Sequence, residues 1–349
     1  MRDRHSLERR QQEVLTRIVR LYVSSGVPVG SQAVVDEFHE PVSSATVRNI
    51  MVELESGGFL EQPHVSAGRV PTDQAYRFYA DRVTGTVRLG VEAERYIDER
   101  LAGEPSSAEE LMSRISHILS EVSHNVGLVL APALQEKLLE HVKFVALGDR
   151  RVLAVIVSKP ELIENRVIRL EEEMSQEELD RAAQYLNAEF RGWTLRTIRL
   201  EVFKRLEEMK VVCDTLLTRV AGLFWGGALG SEESGPLFVE GTARILDQPD
   251  FMEAEKLQEL MAAFEEKVKL IRILSGCLES PSRGVRILIG RENPESGMQR
   301  CTFIVAPYSY RDHVVGALGV VGPTRMEYDR AITAVDYVAQ STSRILSGN

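Results

Sequence analysis

Between Val42 and Tyr79 the chain reads VSSATVRNIMVELESGGFLEQPHVSAGRVPTDQAYRFY, an order of signals that few folds accommodate. Ser43 stands where a hydroxyl would accept a bond from an otherwise unpaired N–H and start a helix. Val47, Ile50, Met51 and Leu54 then recur three and four apart, the stripe of a helix that buries one face. Gly57 and Gly58 stop it, Phe59 and Leu60 begin a strand, and a loop carrying His64, Ser66, Gly68 and Arg69 leads into a second strand. The spacing predicts a helix followed by a wing.

Two more helices are expected upstream. Val14, Leu15, Ile18, Val19 and Tyr22 fall three and four apart between Glu8 and Ser24, and Gly26, Pro28 and Gly30 stop that pattern. Ser31 is expected to cap a short second helix with Ala33, Val34 and Phe38 on one side; Pro41 ends it. The third helix leaves Ser44, Thr46, Arg48, Asn49 and Glu53 outward. Arg and Asn have the donor and acceptor geometry to read base edges in a major groove, so Arg48 and Asn49 are the candidate base contacts. Ser43, Ser44 and Thr46 sit where a helix N-terminus offers amides to a phosphate, and are assigned to positioning. His64, Ser66 and Arg69 complete the candidate DNA-binding set, with Arg69 as the positive charge of the wing turn. A small helical domain with ordinary solvated polar faces would share the three helices, but not the wing.

Those residues resemble the HrcA heat-inducible transcription repressors of bacteria. The resemblance rests on Pro28, Val29, Gly30 and Ser31, on Ser43 and Ala45 through Asn49, and above all on Gln62 through Thr72. Ala75 departs from the pattern, where Gly is expected before Tyr76 and Arg77. The likeness is strongest over residues 1 to about 85 and continues more weakly to the C-terminus. It implies a winged-helix repressor that binds, as a homodimer, a double-stranded inverted repeat called CIRCE upstream of chaperone operons, with activity that depends on the GroE chaperonin.

Composition bounds the remainder. At 349 residues the chain exceeds what one core usually supports, so two or three domains are expected. It has no long apolar run and no apolar N-terminal region, so no membrane span or secretory signal is expected and the reading is cytosolic. Cys213, Cys277 and Cys301 are isolated and are read as core thiols. The net charge of −10 is awkward for a DNA binder, yet residues 1–90 hold eleven Arg against eleven Asp and Glu, so the acidic surplus lies downstream. Every cation there is Arg; the first Lys is Lys137. Arg offers a planar fork to guanine or phosphate, although an all-Arg head equally fits a genomic composition bias. Modest non-specific binding is expected, with specificity from a few placed contacts and two heads acting together.

The fold class expected is α+β and multidomain: a winged helix-turn-helix, then a GAF-like α/β domain interrupted by an inserted dimerising domain. The limits expected are 1–90 for the head and its linker helix, 91–172 and 268–349 for the GAF-like halves, and 173–267 for the insert. Thr72 is expected to cap a linking helix with Tyr76, Tyr79, Ala80 and Val83 on one face, and Ser107 with Glu110, like Ser175 with Glu178, forms a capping box. Strands are expected at 126–130, 142–147, 152–157, 285–289, 301–306 and 314–320, with a closing helix near 328–346. The segment from Val314 into the closing helix looks like the end of a GAF domain, a fold that often holds a small molecule, but no convergent ligand set is visible. Inside the insert, a helix over 201–224 would carry Val202, Leu206, Met209, Cys213, Leu216, Val220 and Leu223 at heptad spacing. Six of them, Val202, Leu206, Met209, Leu216, Val220 and Leu223, are the candidate dimer interface; an intramolecular core helix remains the open alternative. Asp250 is expected to cap a further helix through Val268.

Catalytic signals are missing: no G-x-S-x-G elbow, no Walker loop, no H-E-x-x-H, and seven scattered His. No cofactor or metal is expected, and His117 and His124 are read as structural. The chief rival to a heat-shock repressor is a metabolite-gated winged-helix repressor that senses through its GAF-like body.

Overall fold

The computed structural model of the chain describes residues 7–39, 41–64, 67–103, 105, 107–132, 137–159, 162–208, 215–225, 235–246, 261, 264, 266–278, 284–310 and 313–347. The head begins with α1 (Arg9–Ser25), α2 (Ser31–Asp36) and α3 (Ser44–Ser56), followed by β1 (Leu60–Glu61), β2 (Val70–Pro71) and α4 (Asp73–Val83). Val14, Leu15, Ile18 and Val19 of α1 meet Val34 and the Val47, Ile50, Met51, Leu54 stripe of α3, all buried. Ser43 caps α3 as expected, accepting from the Thr46 N–H at 3.1 Å. The cap of α2 is Gly30 rather than Ser31, because the Ser31 hydroxyl is spent on Ser44, 2.8 Å away.

The body follows with α5 (Val91–Leu101), α6 (Ala108–Ser123), β3 (Val126–Leu130), β4 (Leu138–Gly148), β5 (Arg151–Lys159), β6 (Leu162–Arg169), α7 (Gln176–Glu189), α8 (Leu195–Glu208) and α9 (Thr215–Trp225). It ends with β7 (Leu237–Glu240), α10 (Ala243–Leu246), α11 (Lys267–Leu278), β8 (Arg286–Ile289), β9 (Cys301–Tyr310), β10 (His313–Pro323) and α12 (Tyr328–Ser347). Ser107 caps α6 through the Glu110 N–H, and the Ser175–Glu178 box closes on both sides. Pairing separates two antiparallel sheets, β7-β3-β10-β9-β8 and β4-β5-β6. In the five-stranded sheet Val126, Leu128 and Leu130 face α11, while Val129 faces the core shared with α6 and α12.

The three-stranded sheet has its own core. Leu139, Val142, Phe144, Val152, Ala154, Ile156 and Ile168 pack against Leu179, Leu186, Ile198 and Val202 of α7 and α8. This moves the expected division at residues 173 and 267, because β4 to β6 pair among themselves and side with α7 to α9. Conversely β7, placed in the insert by its position in the chain, pairs with β3 of the large sheet. Strands β6 and β7 were not expected from the sequence.

The heptad seam is also corrected. Phe203 and Phe224 bring their ring centroids to 6.4 Å, whereas 21 residues of one continuous helix would hold them about 30 Å apart. Helices α8 and α9 therefore fold back on each other as a hairpin. Val202, Val220 and Leu223 are fully buried in the chain's own second core, the intramolecular alternative left open above. The Leu206 and Leu216 side chains, Met209 and Cys213, and most of the helix expected after Asp250, lie outside the described residues. Cys277 and Cys301 are buried free thiols.

Candidate nucleic-acid interface

Helix α3 turns its apolar stripe inward, which leaves Arg48 and Asn49 exposed one turn beyond the cap. Among the described residues neither side chain has a hydrogen-bond or ion-pair partner, so both are free to bond to something outside the chain. Ser43 and Thr46 are exposed and Ser44 half-buried around the helix N-terminus; Ser43 and Thr46 share a hydroxyl contact of 2.8 Å. The N-terminal amides and these short hydroxyls suit a phosphate oxygen, while the longer Arg48 and Asn49 reach past them toward base edges.

The wing is tied to this surface by backbone. Leu60 pairs with Pro71 and Glu61 with Val70, and an isolated bridge joins Val29 to Arg69 through two N–H···O bonds of 2.9 Å. Gly68 sits at that crossing because nothing larger fits: a Cβ there would lie 2.4 Å from the Val29 carbonyl oxygen. The bridge sets the wing beside the N-terminus of α2, and the Ser31–Ser44 contact joins that end to the N-terminus of α3. Gln62 closes the loop by donating to the Ala67 carbonyl at 3.0 Å, and His64 is exposed in it. Ser66 lies outside the described residues.

Arg69 differs from its expected place as the wing's free charge. Its guanidinium donates to Glu55 at 3.0 and 2.8 Å, and the side chain is only 16% exposed. It stands at the root of the wing, one residue before β2, where it braces the wing against the last turn of α3. No repeating pattern distinguishes such an Arg from a free one; only the return of the strand onto Glu55 does. Arg48, by contrast, has no partner among the described residues.

A second set of contacts was not anticipated. Helix α4 lies between head and body, with Tyr76 stacked on Tyr328 at 5.8 Å and Tyr79 edge-on to it at 6.3 Å. Such pairs contribute about 0.5–1.5 kcal/mol beyond the area they bury. The Tyr79 hydroxyl donates to Asp329 at 2.7 Å and accepts from Arg20 at 3.0 Å. Burial chiefly, with the Asp329 bond, pushes this phenol up to about 12. Arg77 forks onto Glu292 and donates to the Ile287 carbonyl at 2.5 Å. Beside this seam is an open cleft of about 820 Å³ whose walls include Tyr22, Gln74, Arg291, Arg300 and Arg325.

Comparison with known proteins places these features in one family. Residues 6–84 match the model of the winged helix-turn-helix transcription repressor, HrcA DNA-binding domain, and residues 109–332 that of the HrcA protein C-terminal domain. The heat-inducible transcription repressor HrcA of Geobacter sulfurreducens is 39% identical, covering 98% of this chain and 99% of that one. Its counterpart in Syntrophobacter fumaroxidans is 34% identical and covers 97% of each. A crystal structure described as a hypothetical protein shares the fold, with a TM-score of 0.66 at 22% identity over 98% of this chain and 99% of that chain.

Proposed function

The chain belongs to the HrcA family of heat-inducible transcription repressors, and from that premise we propose that it represses chaperone operons by binding the CIRCE inverted repeat as a homodimer. The observation that carries the reading is the pair Arg48 and Asn49, exposed and unpartnered on a capped helix with a wing pinned beside it. Arg48 and Asn49 read base edges, Ser43, Ser44 and Thr46 hold a phosphate, and His64 approaches the adjacent backbone. Arg69 acts through Glu55 by holding the wing. Two heads on a twofold axis match a twofold-related site, and joining them raises the affinity of each through effective concentration.

The dimer surface we assign to the outer face of the three-stranded sheet. Ile163 and Val167 on β6 are 65% and 61% exposed, and their register partners Val157 and Leu153 on β5 lie half-buried on the same face with Val155 between them. A contiguous apolar face of this kind is the usual mark of an association surface. Heat shifts the protein from this dimer toward inactive forms, and the GroE chaperonin restores the binding-competent state in the cytoplasm, where the operator is.

The test is fluorescence anisotropy with a CIRCE duplex and a scrambled one over a salt series. Wild type should prefer the repeat by at least about a thousandfold, and Arg48→Ala should lose about 1–3 kcal/mol per half-site with an unchanged melting temperature. Equal binding to both duplexes, with purified chaperonin present, would rule the reading out. The arginine-walled cleft favours a second reading, a metabolite-gated repressor; operator affinity that depends on an added small anion would select it.

A further inference from the structure

The head is joined to the body by polar contacts at the end of α1, at the start of α4 and along α4. At the end of α1, Arg325 donates to the Val23 carbonyl at 3.1 Å. At the start of α4, the Asp73 carboxylate accepts from the Arg291 backbone N–H at 3.1 Å. Along α4, Arg77 is forked on Glu292 and reaches the Ile287 carbonyl, and Tyr79 links Arg20 to Asp329. Backbone approach is close on both sides of the seam: Gly290, at φ +52°, would put a Cβ 2.1 Å from the Asp73 carboxylate, and Gly26, at φ +70°, would put one 3.0 Å from the Arg325 guanidinium. Apolar packing is continuous across it, since Tyr76, Tyr79 and Val83 of the head share one core with Tyr328, Ile332 and Val335 of the body. None of these residues belongs to α3 or to the wing loop.

A joint this stiff has a consequence for a twofold protein. If the heads swung on tethers, half-sites at many separations would be served about equally, because effective concentration falls only slowly with span for a flexible link. Rigid heads satisfy one separation and one helical phase. We propose that the seam residues Arg77, Tyr79 and Arg325 are positioning residues that set which half-site spacing the repressor accepts, without contacting DNA themselves. The proposal rests on the operator-binding reading above.

The experiment is a spacer scan with the full-length protein. Inverted repeats whose spacer is lengthened or shortened in steps through half a helical turn, about five base pairs, are titrated by anisotropy beside a duplex carrying one half-site. Wild type is expected to lose at least about a hundredfold at the half-turn spacers. Arg77→Ala/Tyr79→Phe is expected to lose less than about tenfold there, with single half-site affinity within about twofold of wild type and Arg77→Lys restoring part of the selectivity. If the double variant does not fold, Tyr79→Phe alone, which keeps the ring and removes one oxygen, should flatten the profile to a smaller degree. A variant with the wild-type spacer profile and an intact fold overturns the proposal, as does one that binds the natural spacing more tightly than wild type, since docking would then oppose binding. A wild-type protein indifferent to the inverted repeat itself would instead fail the operator-binding reading, and this proposal with it.

Discussion

Arg48 and Arg69 carry the same guanidinium and end in opposite situations. Arg48 sits in the second turn of a helix whose other face is apolar, so helical periodicity alone turned it outward. Arg69 was expected outward as well, yet it lies against Glu55, because a strand returning from a wing brings distant residues together at a distance no local pattern encodes. Tyr79 illustrates the same point: its place on the apolar face of α4 could be read from the spacing, and its bonds to Arg20 and Asp329 could not. That phenol supplies a pH test of the seam. Its folded pKa is raised to about 12 against about 10 in the unfolded chain, so its contribution is fully present below pH 10 and is lost as pH rises toward and through 12. Wild type should therefore lose melting temperature faster than Tyr79→Phe between pH 10 and 12, as followed by circular dichroism; parallel curves would sink the assignment.

At the scale of elements, amphipathic helices with polar caps were the most legible. The stripes of α1, α3 and α4, the cap at Ser43 and the box at Ser175 matched what their spacing implied, since those signals are local and act within one or two turns. Ser107 caps α6 without the return bond of a box, and Thr72, at the N-cap position of α4, donates instead to the Gly58 and Phe59 carbonyls. The wing is different, because its strands are two residues each and depend on a bridge to Val29. Gly68 is the element's weak point: a methyl group there collides with backbone that cannot rotate away. Gly68→Ala is expected to cost about 1–3 kcal/mol and to free the wing. Hydrogen exchange at the Val29 and Arg69 amides would show it, as faster exchange at both with α1 unchanged; normal protection would mean that the loop before α2 yields instead.

Across the whole molecule the expected heptad seam gave way to two helices packed inside the second core, and the exposed apolar area moved to a sheet face. Heptad spacing and the spacing of a buried core helix overlap over three turns, which is why the pattern alone left the choice open. The sheet face follows from alternation in β6, a strand that was missed in sequence. Ile163→Asp with Val167→Asp should halve the mass by sedimentation equilibrium and weaken the association about a hundredfold or more, with α7 to α9 intact by circular dichroism. A dimer that persists would place the interface elsewhere.

By itself the sequence determined the winged head, the outward set on α3, the α+β class and most strand positions, because these follow from periodicities of two and 3.6 residues and from capping chemistry confined to neighbours in the chain. Only the tertiary structure decided which sheet each strand joined, that Arg69 is paired, that α8 and α9 fold back on each other, and that the head is anchored to the body through Tyr79, Arg77 and Arg325. Those outcomes depend on contacts between residues up to 302 positions apart in the chain, and the energy of such a contact is set by what the fold brings opposite a side chain rather than by what precedes it.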